Sequence, residues 1–115
     1  MLAVRKPKLL QFTYHSRAKM RYWGLSESRV KHAMHSPRRV EEGIAPKTIA
    51  MMQPITVKRE QGRETWKQEL WVMIQDMGSR RKIISAWRYP GMTKPRDEIT
   101  KDFLRQEYRA YTARQ

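Results

Sequence analysis

One stretch decides the predicted fold, Arg80-Arg81-Lys82-Ile83-Ile84-Ser85-Ala86-Trp87-Arg88-Tyr89-Pro90-Gly91. Its middle is rich in β-branched and aromatic residues, and a Pro-Gly pair ends it, which together are typical of a β-strand. Cationic side chains lie on both sides of the apolar middle. We therefore predict a central strand of a small sheet whose charges meet an anionic partner.

The length and composition indicate one domain spanning residues 1–115. The chain contains no cysteine, which excludes disulfides and thiolate metal sites and fits a cytoplasmic location. The longest apolar run, Leu70 to Ile74, is far shorter than the roughly 20 residues of a membrane span. The start of the chain lacks the apolar core of a signal peptide. We therefore expect no membrane partner.

The charge of the chain is strongly positive and unevenly distributed. There are 25 Lys and Arg residues against 11 Asp and Glu residues, a formal net charge of +14. Residues 1–40 carry 10 basic residues and one acidic residue, Glu27. Such an excess on a small domain favours a polyanionic partner, with nucleic acid as the first candidate. An anionic membrane surface ranks second and is disfavoured, because no basic amphipathic helix with a broad apolar face stands out.

The first third of the chain has clear start and stop signals. The predicted elements are a basic arm at residues 1–8, a strand at Leu9–Tyr14, a helix at His15–Trp23 and a second helix that ends before Pro37. Gly24 suits the left-handed residue after a helix, and Ser26 is a good N-cap for the next one. The residue before Pro37 is pushed out of the helical region.

The rest of the chain predicts strands and one final helix. The strands are Thr48–Gln53, Ile55–Lys58, Thr65–Gln75 and the opening stretch, with a short strand or turn at Val40–Ile44 and a helix at residues 97–112 that Asp97 caps. Pro54 cannot donate to a ladder, so we expect a bulge or an edge there. The order predicts an α+β domain, with an antiparallel sheet of about four strands and helices on one face.

A hairpin with Gln75 opposite Arg80 would sort the side chains onto two faces. One face is apolar, and Lys67 lies directly across from Arg88 on the other. The predicted open face carries Lys67, Glu69, Trp71, Lys82 and Arg88, with Arg80 at its end. The adjacent cations need a neutralising partner, which is either Glu69 or a bound phosphate. Trp71 is the tryptophan expected to stack on a base.

The three histidines differ in the chemical roles that their positions suggest. His32 and His35 lie three residues apart on the second helix without a carboxylate or thiolate at ligand spacing, so a metal site is not expected. His15 stands at a strand-to-helix junction, where a general base can be displayed. No Gly-rich phosphate loop or dinucleotide fingerprint is present, and we expect no cofactor.

One run resembles a known family, Phe12-Thr13-Tyr14-His15-Ser16-Arg17-Ala18-Lys19-Met20-Arg21-Tyr22-Trp23-Gly24-Leu25-Ser26. It is similar to the opening of a bacterial "domain of unknown function" family with the pattern His-Ala-x-x-Arg-Met-x-x-Arg-Gly-Ile-Ser. The stretch Lys82–Ala86, followed by a helix with Glu107 and Tyr108, looks like the end of BrnT-type toxins, which belong to the RelE-like endoribonucleases. Lys19 and Trp23 replace arginines of the first pattern, and Trp87 stands where BrnT-type toxins carry arginine.

The resemblance implies a RelE/BrnT-like fold and a metal-independent endoribonuclease of a toxin–antitoxin system. His15 or Glu69 would be the base, and Lys67, Arg88 and Arg80 would contact the phosphate. Further RNA contacts are expected from Arg17, Lys19, Trp71 and Lys82. The resemblance also implies an acidic antitoxin that covers the basic face. Two alternatives stay open, namely a non-catalytic RNA-binding module and an interaction domain for an acidic protein.

Overall fold

The computed structural model describes residues 8–42 and 44–114, so all but one residue of the predicted basic arm lies outside the described residues. The elements follow in the order β1 (Leu9–Phe12), α1 (Tyr14–Trp23), α2 (Glu27–His35), β2 (Arg39–Glu42), β3 (Thr48–Ile55), β4 (Lys58–Glu60), β5 (Arg63–Thr65), β6 (Gln68–Asp76), β7 (Arg80–Pro90) and α3 (Glu98–Ala113). The predicted α+β class is confirmed. None of the helices in the described ranges is long and apolar enough to cross a membrane.

The helix boundaries follow from caps, of which Gly24, Ser26 and Asp97 match the prediction, whereas Thr13 was not predicted. The Thr13 hydroxyl accepts from the Ser16 amide and starts α1 one residue earlier than expected. Gly24 ends α1 in the left-handed conformation, with φ 67° and ψ 40°. Ser26 and Asp97 cap α2 and α3 through the amides of the residues three positions later.

The strands form a five-stranded mixed sheet in the order β1-β7-β6-β3-β2, and β4 and β5 form a separate two-stranded hairpin. We expected about four strands, all antiparallel, whereas this sheet has five. Its edge strand β1 runs parallel to β7, with Leu9 paired to Arg80. β2 reaches only as far as Met52 on β3, so Pro54 faces no strand on that side. This local edge explains how β3 tolerates a proline.

Helices cover both faces of the sheet, and the prediction of helices on one face is wrong. On one face, α1 and α2 pack against a cluster that includes Leu70, Val72 and Ile83. On the other face, α3 packs through Leu104 and Tyr111 against a second cluster, which includes Trp71 and Trp87. The sheet is therefore buried on both sides, and no open, cation-rich face exists at the centre of the β6–β7 hairpin.

The register of the β6–β7 hairpin also differs from the prediction. Gln75 pairs with Lys82 instead of Arg80, and the Met77 amide donates to the Arg80 carbonyl at 2.9 Å across the turn. A bulge between Met73 and Ile74 then shifts the pairing again. The extra residue on β7 changes which side chains share a face beyond the bulge.

Beyond the bulge, Trp71 faces Trp87, and their rings stack with centroids 6.2 Å apart. Arg88 pairs with Leu70, and Lys67 lies outside β6. The predicted Lys67–Arg88 pair is therefore wrong, and with it the phosphate site that was one of the two explanations offered for the adjacent cations.

Candidate functional site: the His15 cleft

A cleft of about 240 Å³ opens where β1, the start of α1 and the end of α3 meet. We call it the His15 cleft, and its lining residues are Gln11, Phe12, Thr13, Tyr14, His15, Lys82, Tyr111 and Arg114. Lys82 reaches this place because β1 runs parallel to β7 and sets Gln11 beside it. Three parts of the chain that are distant in sequence therefore meet around one histidine.

His15 is the buried centre of the cleft. Its side chain is only 3% exposed, yet neither ring nitrogen has a hydrogen-bond partner among the described residues. Its ring lies 6.3 Å from the ring of Tyr111, centroid to centroid. Buried polar groups are almost always hydrogen-bonded, so two buried nitrogens without a partner, on a residue that lines a cleft, are an unusual feature of this place.

Burial lowers the pKa of the His15 imidazole below its ordinary value of 6.5, because the charged form loses its hydration. The Glu107 carboxylate opposes this shift, and the nearby cations Arg114 and Lys19 add to it. His15 is therefore neutral at pH 7. A neutral imidazole has one nitrogen that accepts a proton and one that donates, as a general base requires.

The residues that line the cleft include cations and no acidic side chain. Lys82 is half-buried and Arg114 is exposed, and neither side chain forms an ion pair or hydrogen bond with the described residues. No acidic side chain is among the lining residues. Two free cations beside a buried neutral base suit an anionic ligand such as a phosphate group.

Glu107 joins α3 to α1 and β7 beside the cleft. Its carboxylate accepts from Lys19 Nζ on α1 at 2.9 Å and from Ser85 Oγ on β7 at 2.6 Å. Tyr111 and Arg114 follow Glu107 by four and seven residues, so all three lie on one side of α3. The Glu107 contacts therefore fix the part of α3 that carries Tyr111 and leads to its C-cap Arg114.

Glu69 was predicted as a base, but its hydrogen bonds connect parts of the fold instead. It is fully buried, and its oxygens accept from Trp66 Nε1 at 2.9 Å, Trp71 Nε1 at 3.0 Å, the Thr93 amide at 3.0 Å and the Thr93 hydroxyl at 2.7 Å. Arg39 donates to Thr93 in turn, through Nη2 at 2.6 Å. This network ties the segment after β7 to the sheet. Trp71 is also fully buried, which rules out the open-face position expected for base stacking.

The other two predicted catalytic residues lie away from His15. Arg88 is six positions after Lys82 on β7, about 20 Å along the strand. Its Nε donates to the Trp23 carbonyl at 3.0 Å, at the end of α1. Lys67 is exposed beside the β4–β5 hairpin and lines a different cavity, of about 370 Å³. The structure does not bring Lys67, Glu69 and Arg88 together with His15.

The predicted RNA contacts divide between the cleft and its surroundings. Lys82 lines the cleft, and Lys19 supports it through Glu107. Arg17 is exposed on α1 and pairs with Glu27 at 2.9 Å. Arg80 is exposed at the start of β7. All four are thus near the β1–α1 edge of the molecule.

Glu107 entered the sequence analysis only through the family resemblance, and Arg114 did not enter it; neither of these residues nor Tyr111 was assigned to the site. Their helical spacing was visible, but it did not say which elements α3 would cover. The packing of Leu104 and Tyr111 against the cluster around Trp71 and Trp87 decides that, and it is a long-range contact with no local signal.

Comparisons with models of known families, with curated protein sequences and with solved structures found no match to this chain. The described residues contain no group of three or more His, Asp or Glu side chains that could hold a metal ion. The case for a function therefore rests on the His15 cleft and on the charge of the chain.

Proposed function

We propose that this protein binds RNA at the His15 cleft and cleaves it there by a metal-independent reaction. The observation that carries the proposal is a buried, neutral histidine whose ring nitrogens are both unpaired, beside the free cations Lys82 and Arg114. The net charge of +14 supports a polyanionic partner, since phosphate contacts supply most of the affinity for nucleic acids.

The proposed reaction uses the 2′-hydroxyl of RNA as the nucleophile. His15 takes the proton of this hydroxyl, and the 2′-oxygen attacks the adjacent phosphorus. The bond from phosphorus to the 5′-oxygen breaks, and a water molecule in the cleft protonates the leaving oxygen. The products are a 2′,3′-cyclic phosphate and a free 5′-hydroxyl, and His15 then returns its proton to solvent.

Lys82 and Arg114 have an electrostatic role in this scheme. The phosphorane-like transition state carries more negative charge on its oxygens than the ground state does. Cations fixed beside it stabilise that charge, and they do so best where water is partly excluded. The Glu107 contacts with Lys19 and Ser85 position Arg114 for this task.

The toxin role, the acidic antitoxin partner and the cytoplasmic location belong to the same proposal and rest on the family resemblance and the composition. The second candidate function is non-catalytic RNA binding at the same cleft. It is favoured by the separation of Lys67, Glu69 and Arg88 from His15, because the catalytic set that the resemblance implies is not assembled.

Incubation of purified protein with RNA in EDTA separates these candidates. Fragments with cyclic phosphate ends support the nuclease. Intact RNA with tight, salt-sensitive binding would refute cleavage and leave the binding module. Failure to bind RNA at low salt would refute both and leave an interaction domain for an acidic protein.

The phosphate contacts have their own test. Each phosphate contact on a single strand contributes about 0.7 to the slope of log affinity against log salt. The double variant Lys82→Gln/Arg114→Gln should therefore lower this slope by about 1.4. The matched control is Lys58→Gln/Arg63→Gln on the exposed β4–β5 hairpin, which removes the same charge away from the cleft.

A further inference from the structure

The outward face of α1, next to the His15 cleft, carries aromatic and cationic side chains together. Two of the most exposed large apolar side chains in the described ranges lie here, Tyr14 at 75% and Tyr22 at 78%. Arg17 and Arg21 are exposed on the same helix. At about 100° per residue these four side chains fall within an arc of roughly 140°. We call them the α1 face.

The α1 face has the geometry of a stacking platform. Ala18 lies four residues from each tyrosine, so a small side chain separates the two rings. The tyrosines are about 12 Å apart along the helix axis, which is roughly three base steps at 3.4 Å each. The spacing therefore matches bases that stack upon the two rings, of which Tyr22 is braced by an edge contact with Trp23, 4.9 Å between ring centroids.

The arginines supply the charge that a nucleic-acid backbone needs. Arg21 has no ion-pair partner among the described residues. Arg17 lies over the ring of Phe12, 5.1 Å from its centroid, and its pair with Glu27 is half-exposed and thus weak. Cations interleaved with aromatic rings are the recurring pattern of single-strand binding surfaces.

The face is continuous with the cleft. Tyr14 belongs to the α1 face and also lines the cleft, and Phe12, which Arg17 covers, lines it too. A strand lying along α1 would therefore deliver a phosphate to His15. We propose that the α1 face binds single-stranded RNA by base stacking and guides it into the His15 cleft. The inference rests on the proposed function and names its substrate class as single-stranded RNA, since the base faces of a duplex are already covered.

The test measures binding of a 2′-O-methyl RNA 12-mer, which has no free 2′-hydroxyl and stays uncleaved, by fluorescence anisotropy. Tyr14→Ala/Tyr22→Ala should weaken binding of the single strand about 10-fold or more, and should change binding of the matching duplex little. Tyr14→Phe/Tyr22→Phe keeps both rings and should bind like the wild type. The control Ile99→Ala/Met92→Ala removes exposed apolar side chains elsewhere.

If Tyr14→Ala/Tyr22→Ala binds the single strand within twofold of the wild type, or loses as much affinity for the duplex as for the single strand, the proposal for the α1 face is overturned. Either result would leave the proposed cleavage at His15 unaffected. A wild-type protein that binds neither strand nor duplex would instead overturn the proposed function, and the α1 face with it. Because Tyr14 and Tyr22 are both exposed, unchanged circular dichroism is expected for both double variants.

Discussion

Substitution of Glu69 by glutamine tests whether this residue serves the fold or the chemistry. Glu69 Oε1 accepts from Trp71 Nε1 and the Thr93 hydroxyl, and Oε2 accepts from Trp66 Nε1 and the Thr93 amide. Glutamine offers one carbonyl oxygen and one NH₂ group. In either orientation, one pair of donors therefore faces a group that cannot accept.

The cost follows from the number of hydrogen bonds lost. A hydrogen bond to a charged group contributes about 1.5–3 kcal/mol to stability. Loss of two such bonds to a fully buried carboxylate should lower the free energy of unfolding by about 3–6 kcal/mol. Since small domains have a total stability of about 5–15 kcal/mol, Glu69→Gln should be strongly destabilised.

Urea denaturation measures this loss, with Glu60→Gln as the control. Glu60 is exposed at the β4–β5 turn, and its substitution should change the free energy of unfolding by less than about 0.5 kcal/mol. RNA cleavage by Glu69→Gln should survive at temperatures where the variant is still folded. A variant that is as stable as the wild type but has lost cleavage would refute the structural role and restore Glu69 as a base.

Two further predictions concern His15 and the helix ends. Because burial lowers the pKa of His15 below 6.5, its contribution to stability is complete above pH 6.5 and is lost as the pH falls through the lowered pKa. Urea denaturation at several pH values should show a slope of the free energy of unfolding against pH in this interval, and His15→Phe should remove it. The same slope in His15→Phe would contradict the buried neutral state. Gly24→Ala should cost about 1 kcal/mol in thermal or urea unfolding, because alanine is strained at φ 67°, and a neutral effect would contradict the left-handed cap.

Local features of the fold were predictable because they depend on neighbouring residues. The caps at Ser26 and Asp97 and the left-handed Gly24 follow from side-chain and backbone chemistry within one helical turn. The register of the β6–β7 hairpin was not predictable in this way. It depends on the turn that pairs Gln75 with Lys82 and on a bulge between Met73 and Ile74, and neither has a signal in the neighbouring residues.

One signal of the second helical layer was present in the sequence. Leu70 to Ile74 is apolar at every position, whereas a strand with one face in water alternates. A continuous apolar run indicates a strand that is buried on both faces, as β6 is here. That reading would have placed Trp71 in the interior instead of on an open face.

The candidate site was predictable only around His15. The strand-to-helix junction that displays it is a local feature, and its position at the start of α1 matches the expectation to within one residue. The partners in the cleft depend on long-range pairing. Lys82 arrives through the parallel β1–β7 pair, and Arg114 arrives through the Glu107 contacts of α3.

The most direct test of the central claim is the single-turnover rate of RNA cleavage in EDTA by His15→Ala, compared with the wild type. A general base contributes about 10²–10⁴-fold to a rate, so cleavage by this variant should fall by at least two orders of magnitude. His35→Ala, which changes an exposed histidine on α2, should cleave at the wild-type rate. Wild-type cleavage by His15→Ala, with its fold intact, would contradict the assignment of His15 as the base.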